Sequence, residues 1–338
     1  MFYKTIILIF MFSSCCNIAG AASEEKTYKM QLTHFLPRTS VAHSKFLAPW
    51  AKKIEKETNG RLKVKIHPAM SLGGAPSELV QQVRSGAVDA IWTVVGYSPG
   101  QFPKSEVFEL PFMAESYKAT ELNMAISEFY KSYLIDEYKD FYVVLLHTHA
   151  PGTLHLYGNK ITRLEELKGQ KIRVPNRIMG KFVSNIGAVP VSMPLSDVYE
   201  GLTYGMLKGA MMPFEAAYTL RLHEQTNYHV IAPFYTTVFA FLLNKEFYES
   251  LPKDIQEVIN NNSGKNIAYE AGQIWDQAEA KTIATIKKKG DNFYYLSQEE
   301  TDKGRLIAEE VSREWIKVNG VTLYKKAKAL LFKYKGQK

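Results

Sequence analysis

Two stretches of this chain, more than a hundred residues apart, follow one plan. Ser77-Glu78-Leu79 opens a segment that stops at Gly86, nine residues after the serine, and runs into the apolar stretch 88–94. Ser196-Asp197-Val198 opens another that stops at Gly205, again nine residues on, and runs into the apolar stretch 207–212. Each reads as a helix with a serine N-cap, an acid in its first turn and a glycine at its end, followed by a buried strand. A strand lies ahead of each helix too: Leu62, Val64 and Ile66 alternate with Arg61, Lys63, Lys65 and His67 in one case, and 189–191 is a short strand in the other. Strand, helix, strand in close succession demands parallel pairing, because the helix is the crossover. Two such units in one chain predict two similar α/β lobes, each a mostly parallel sheet flanked by helices, with a cleft between them.

The remaining elements extend both lobes. Residues 28–33 alternate like a strand, and 40–58 carries Phe46, Leu47, Trp50 and Ile54 at helical spacing before Asn59-Gly60 stops it. In the second unit, 171–174 is a strand and 179–186 a helix ended by Gly187. Pro252-Lys253-Asp254 starts a strongly helical run whose apolar face continues from Ile255 to Ile286, long enough to cross both lobes. At 338 residues, with 18 Phe and 20 Tyr to bury, two domains are the default. The expected division is 22–150 plus about 239–278 for the first lobe, and about 151–238 plus 279–338 for the second. The Lys-rich helices after Ser297 read as a solvated face.

The first residues address the compartment. Lys4, the apolar run 6–12, small polar residues and Ala19-Gly20-Ala21 follow the order of a secretory signal peptide over 1–21. Cleavage after Ala21 removes both cysteines, Cys15 and Cys16, so the exported chain needs no oxidation step. Lipidation of Cys15 or Cys16 is the alternative, although Phe12-Ser13-Ser14 fits a lipoprotein cleavage box imperfectly. No later stretch has the apolar length of a membrane helix.

Charge and motifs exclude several classes. The excess of 42 Lys and Arg over 34 Asp and Glu is spread along the chain, so a nucleic-acid partner is not expected. There is no His-Glu-x-x-His helix and no Gly-rich phosphate loop, which leaves an exported hydrolase as a distant alternative and no cofactor in view. His147, His149 and His155 form a tempting metal set, but no cysteine or acid lies among them, so a structural or ligand-hydrogen-bonding role is expected instead.

Longer motifs carry a family resemblance. Leu167-Lys168-Gly169-Gln170-Lys171-Ile172-Arg173-Val174-Pro175, then Gly187-Ala188-Val189-Pro190-Val191-Ser192-Met193-Pro194, then Val198-Tyr199-Glu200-Gly201-Leu202, resemble the signature of the substrate-binding (DctP-type) subunit of tripartite ATP-independent periplasmic (TRAP) transporters. Leu72-Gly73-Gly74, 83–89, 96–103, Glu109-Leu110-Pro111-Phe112 and Leu251-Pro252 add to it. The resemblance implies a two-lobed periplasmic binding protein with a long helix across both lobes. It also implies a periplasmic location, no catalysis, a carboxylate ligand clamped at Arg173, and small and large membrane subunits as partners. A monomer is expected. The runner-up among receptors is the solute-binding protein of an ATP-driven importer.

The residues themselves support Arg173, which ends a predicted parallel strand where open α/β sheets bind ligands, and whose planar fork suits a carboxylate. Loops at equivalent ends of the two lobes supply the other candidates: His34 and Phe35, Trp92 and Tyr97, Met212, Phe214 and Glu215, and Phe239 on a returning strand. The second arginine that some relatives place before Arg173 is replaced by Gly152-Thr153-Leu154-His155. With one confident cation and many aromatic rings, the expected ligand is a small monocarboxylate with an apolar or modestly polar body. Arg177 and Lys208 are the cations that could overturn this by folding inward.

Overall fold

A computed structural model describes residues 26–114, 117–158 and 160–336; the signal peptide expected over 1–21, with Cys15 and Cys16, lies outside the described residues. The chain begins with β1 (Tyr28–His34) and, after a wide helical turn, α1 (Ala48–Glu57), which buries Trp50, Ala51 and Ile54. β2 (Leu62–His67), α2 (Leu79–Arg84) and β3 (Ala90–Val94) complete the first repeat unit. α3 (Ala119–Phe129) leads into β4 (Phe141–Thr148) and β5 (Gly152–Leu156). The second unit is β6 (Lys171–Val174), α4 (Arg177–Asn185), β7 (Val189–Ser192), α5 (Val198–Thr203) and β8 (Gly209–Met212). α6 (Phe214–Thr219), β9 (Tyr228–Tyr235) and β10 (Val238–Asn244) follow. Next come α7 (Lys245–Ser250), α8 (Lys253–Asn261), α9 (Lys265–Lys289), β11 (Asn292–Tyr295), α10 (Gln298–Asn319) and α11 (Val321–Tyr334).

The strands form two sheets, ordered β2-β1-β3-β10-β4 and β11-β9-β5-β8-β6-β7. In the first, only β10 runs against the others; in the second, only β5 does. These two reversed strands are the crossing points. β4 leaves the first sheet and returns as β5 in the second, while β9 leaves the second and returns as β10 in the first. The mostly parallel sheets expected from the repeat are therefore present, each with one antiparallel strand inserted between parallel neighbours.

The repeat has the same backbone form in both lobes, including left-handed glycines at its ends, with φ of +73° at Gly86 and +67° at Gly205. Its caps differ from expectation. Ser77 and Ser196 lie inside short 3₁₀ turns, Pro76–Glu78 and Leu195–Asp197, that precede α2 and α5. In the first, Glu78 accepts from the amide of Ala75 at 2.9 Å and closes the turn earlier than a serine cap would.

The helical run after Pro252 is interrupted. α8 ends at Asn261, and Gly264, with φ +57°, donates its amide to Val144 of β4 before α9 starts. α9 then spans the two halves and caps a helix in each. Asp276 accepts from the amides of Ala119 (2.8 Å) and Thr120 (3.2 Å) at the start of α3. Glu279, nearly one turn on, accepts from Phe214 (3.0 Å) and Glu215 (2.8 Å) at the start of α6.

The tail is shared between the lobes, whereas the sequence assigned all of 279–338 to the second. Glu300 of α10 accepts from Leu164 in the second half, but α11 packs on α3, where Glu128 holds Lys333 and Tyr334. The reason is chemical: Ala327 and Leu331 are buried beside α3 while the lysines of α11 face outward.

Candidate functional site

The sheets face each other across a cleft of about 480 Å³ between atoms, mouth included, into which the carboxyl ends of β3, β6 and β8 open. Among the nine residues named from sequence, Phe35, Trp92, Tyr97, Arg173, Met212, Glu215 and Phe239 line it. His34 and Phe214 do not. His34 is buried behind the wall, bonded through Nε2 to Nδ1 of His43 (2.9 Å) and set edge-on to Trp92. Phe214 stacks on Phe293 with ring centres 5.3 Å apart, and Glu279 holds its amide, so its ring turns away from the cleft into the second lobe.

Arg173 is 2% exposed and lies one residue before the end of β6. Its Nε donates to the carbonyl of Met193 (3.1 Å) and its Nη1 to that of Met211 (2.9 Å); its Nη2 lies 3.5 Å from the hydroxyl of Tyr97. All three partners are neutral, and among the described residues no carboxylate pairs with it. A buried guanidinium held only by neutral acceptors keeps a full charge uncompensated, and the group that best repays that cost is an anion. The other cations are engaged elsewhere. Arg177 pairs with Glu106 through both carboxylate oxygens, and Lys208 precedes β8 at the end opposite Met212.

The wall facing Arg173 is aromatic. Trp92 stacks on Phe239 at 4.6 Å and on Phe35 at 5.5 Å, and Tyr97 meets Phe35 edge-on. Hydrogen bonds fix the tryptophan. Its Nε1 donates to Nε2 of His147 (2.9 Å), and the opposite ring nitrogen of that histidine bonds the carbonyl of Thr148 (3.2 Å). Burial lowers His147 to about 3, so it stays neutral and keeps the acceptor that Trp92 needs.

Glu215 also lines the cleft. Burial, reinforced by the neighbouring Glu279 carboxylate and opposed by a bond from Trp275, raises it to about 8. Burial raises Glu279 too, but only to about 7, because the amides of Phe214 and Glu215 favour its ionised form. Glu215 is thus a neutral carboxyl near pH 7, able to donate and accept.

Among the polar and aromatic lining residues, sequence reasoning missed Tyr235, Trp275 and Thr237, and it placed His149 only in a set of three histidines expected to be structural or to hydrogen-bond the ligand. His149 and Thr237 sit at the two crossings between sheets, and Tyr235 ends β9 beside one of them. Trp275 lies on the face of α9 that the crossing helix turns inward. Their signal was the topology, not a motif. The three histidines of the tempting metal set have separate partners: His147 holds Trp92, His149 bonds the carbonyl of Ala150, and His155 lies between His229 and the carbonyl of Met212.

Two lobes joined by crossing strands and a shared helix, with an uncompensated cation between them, define a solute-binding receptor with a place for an anion. Residues 32–318 match the model of DctP, the bacterial extracellular solute-binding protein family 7, and the chain belongs to that family. It is similar to a TRAP solute-binding protein of an unidentified microbe from a marine metagenome, specific for aromatic acid ligands and solved with 3-hydroxybenzoate. That likeness is 38% identity over 91% of this chain and 99% of that one, with a TM-score of 0.88. A TRAP solute-binding protein from Rhodoferax ferrireducens, solved with copurified benzoate, is 33% identical over 91% of this chain and 98% of that one, with a TM-score of 0.87. The C4-dicarboxylate-binding periplasmic protein DctP of Rhodobacter capsulatus is 24% identical over 75% of this chain and 76% of its own length. These likenesses identify the chain as a substrate-binding subunit of the TRAP type; the reading as a receptor of an ATP-driven importer gains no support from them. No helix of the described residues is long and apolar enough to cross a membrane.

Proposed function

We propose that this receptor binds a small aromatic monocarboxylate in the periplasm and delivers it, unchanged, to a small and a large TRAP membrane subunit. One observation carries the reading: Arg173 is buried without a protein counter-charge, and the wall across from it is built of Trp92, Phe35 and Phe239. In this reading the ligand carboxylate meets Arg173 and Tyr97, its ring lies against the stacked aromatics, and Met212 packs its edge. A second carboxylate is disfavoured because Arg173 is the one Lys or Arg among the described lining residues, so a second negative charge would be desolvated with no fork to receive it. The relatives solved with benzoate and 3-hydroxybenzoate support the same class.

Because Arg173 belongs to one lobe and Tyr97 and Trp92 to the other, a ligand that touches all three binds the closed form more tightly than the open one and shifts the population toward it. Calorimetry with benzoate, 3-hydroxybenzoate, phenylacetate, succinate and malate tests the reading, with chromatography of the recovered ligand testing for turnover. The aromatic monocarboxylates should bind tightest and come back intact. Tightest binding by succinate or malate, or a changed ligand, would overturn it.

A further inference from the structure

Two histidines stand two residues apart at the end of β4, and their imidazoles are held in the same way. In His147, Nδ1 bonds the carbonyl of the next residue, Thr148, and Nε2 accepts a hydrogen bond from Trp92. In His149, Nδ1 bonds the carbonyl of the next residue, Ala150. A carbonyl can only accept, so in both rings the proton sits on Nδ1 and Nε2 carries a lone pair. Burial lowers His149 to about 4, which keeps that tautomer neutral. The difference lies in what each Nε2 meets. For His147 it is an indole N–H; for His149, among the described residues, no protein donor reaches it.

His149 is nevertheless 2% exposed and lines the ligand cleft. Its ring is set edge-on to Tyr235 and to Phe239, each at 5.8 Å between ring centres, and neither neighbour is hydrogen-bonded to it. That nitrogen opens on the cleft, and a ligand that cuts it off from water costs free energy unless the ligand supplies a donor. An apolar ring cannot. A carboxylate cannot either, since its oxygens only accept.

We propose that His149 is a specificity-determining residue, and that the ligand it selects is an aromatic acid carrying a hydroxyl group whose O–H donates to Nε2 of His149. This rests on the aromatic-monocarboxylate reading of the cleft and adds a second polar group to the ligand, a neutral donor separate from the carboxylate held at Arg173. A site built to meet a hydroxyl discriminates against the analogue without it, because that analogue leaves the site's own polar group unpaired.

The test is calorimetry with benzoate, its three monohydroxy isomers, phenylacetate and mandelate, on the unaltered protein and on His149→Phe and His149→Gln. On the unaltered protein at least one hydroxylated acid should bind about tenfold or more tightly than its parent, the size of one well-made hydrogen bond. His149→Phe should bring the ratio of the hydroxylated acid's affinity to its parent's close to one, and His149→Gln, which keeps an acceptor, should restore part of that preference. Nitrogen NMR gives a readout that a merely structural histidine would not move: the Nε2 resonance of His149 should shift with the hydroxylated acid and not with benzoate. An unchanged preference in His149→Phe, or equal weakening of benzoate and its hydroxylated forms, would overturn the assignment to His149 while leaving the aromatic-acid reading standing. Failure of every aromatic acid to bind the unaltered protein would instead bring down that reading, and this inference with it.

Discussion

The hydroxyl of Tyr97 lies 3.5 Å from Nη2 of Arg173 and accepts from the backbone amide of Leu195 at 2.9 Å. One phenol of the first lobe therefore touches two groups of the second, one of them the cation of the site. Ligand and closure share this contact, so damage to Arg173 should show in both. Removing the cation from a buried carboxylate costs on the order of 3–5 kcal/mol, and Arg173→Ala should weaken binding by about 10²–10³-fold. Arg173→Lys should recover little, because an ammonium keeps the charge but cannot hold the Met193 and Met211 carbonyls and a carboxylate at once. Calorimetry reads the affinities; scattering with and without ligand reads compaction, which the Ala variant should lose at concentrations that saturate the unaltered protein.

Much of this was written in the residues. The repeat of helix, left-handed glycine and strand at Gly86 and Gly205 gave the two lobes, since only a few local interactions decide such a unit. Arg173 followed from its place at the end of a short strand between apolar neighbours. What could not be read was set by contacts distant in sequence. His34 and Phe214 occupy positions equivalent to true lining residues, yet each faces a partner supplied by another element, His43 for one and Phe293 for the other. Trp275 enters the cleft because Asp276 and Glu279 fix the rotation of α9 by capping α3 and α6, a geometry that no local pattern encodes.

Arg177 should prove to be a closing contact, not a ligand contact. Its guanidinium joins α4 of the second lobe to Glu106 on a loop of the first; the glutamate side chain is 6% exposed and the arginine 43%. Partial exposure of the arginine screens the pair, so its worth is discounted toward that of a surface bridge, about 1 kcal/mol. Arg177→Ala should therefore raise the ligand dissociation rate about three- to tenfold in stopped-flow displacement, with the rank order of ligands unchanged. A reversal of that order, with dicarboxylates losing most, would return Arg177 to the site.

Gly152 begins β5 at one crossing between the lobes, and a Cβ there would stand 2.3 Å from Cε1 of Tyr235, far inside contact distance. The Tyr235 ring is 1% exposed and lines the cleft, so it has little room to retreat. Gly152→Ala should cost about 1–3 kcal/mol of stability through overpacking and weaken aromatic acids by displacing the ring. Denaturant unfolding and calorimetry on the same preparation check this, and a companion Tyr235→Leu change that restores stability to Gly152→Ala would show that the clash is with that ring.

Glu215 gives the cleft a pH dependence whose direction follows from its neighbours. Burial and the Glu279 carboxylate raise its pKa from 4.5 to about 8, while the Trp275 bond pulls the other way; Arg173 is the cation across the same cavity. Below about 8 the group is neutral and leaves the charge of Arg173 to the ligand. Above it, a second carboxylate faces the ligand anion in a water-poor space and repels it. Affinity for benzoate should accordingly fall as pH climbs through about 8, and Glu215→Gln should flatten the profile while leaving binding at pH 6 nearly unchanged. The stability sign agrees: this carboxyl holds its proton more tightly folded than unfolded, so its contribution is full below 4.5 and is lost as pH rises through about 8. Glu279 adds a loss of the same sign centred lower, near 7. Thermal melts of Glu215→Gln and the unaltered protein from pH 5 to 9 should therefore diverge toward the alkaline end, with the variant the more stable. Parallel curves would mean that Glu215 is ionised throughout and that its place beside the ligand needs another explanation.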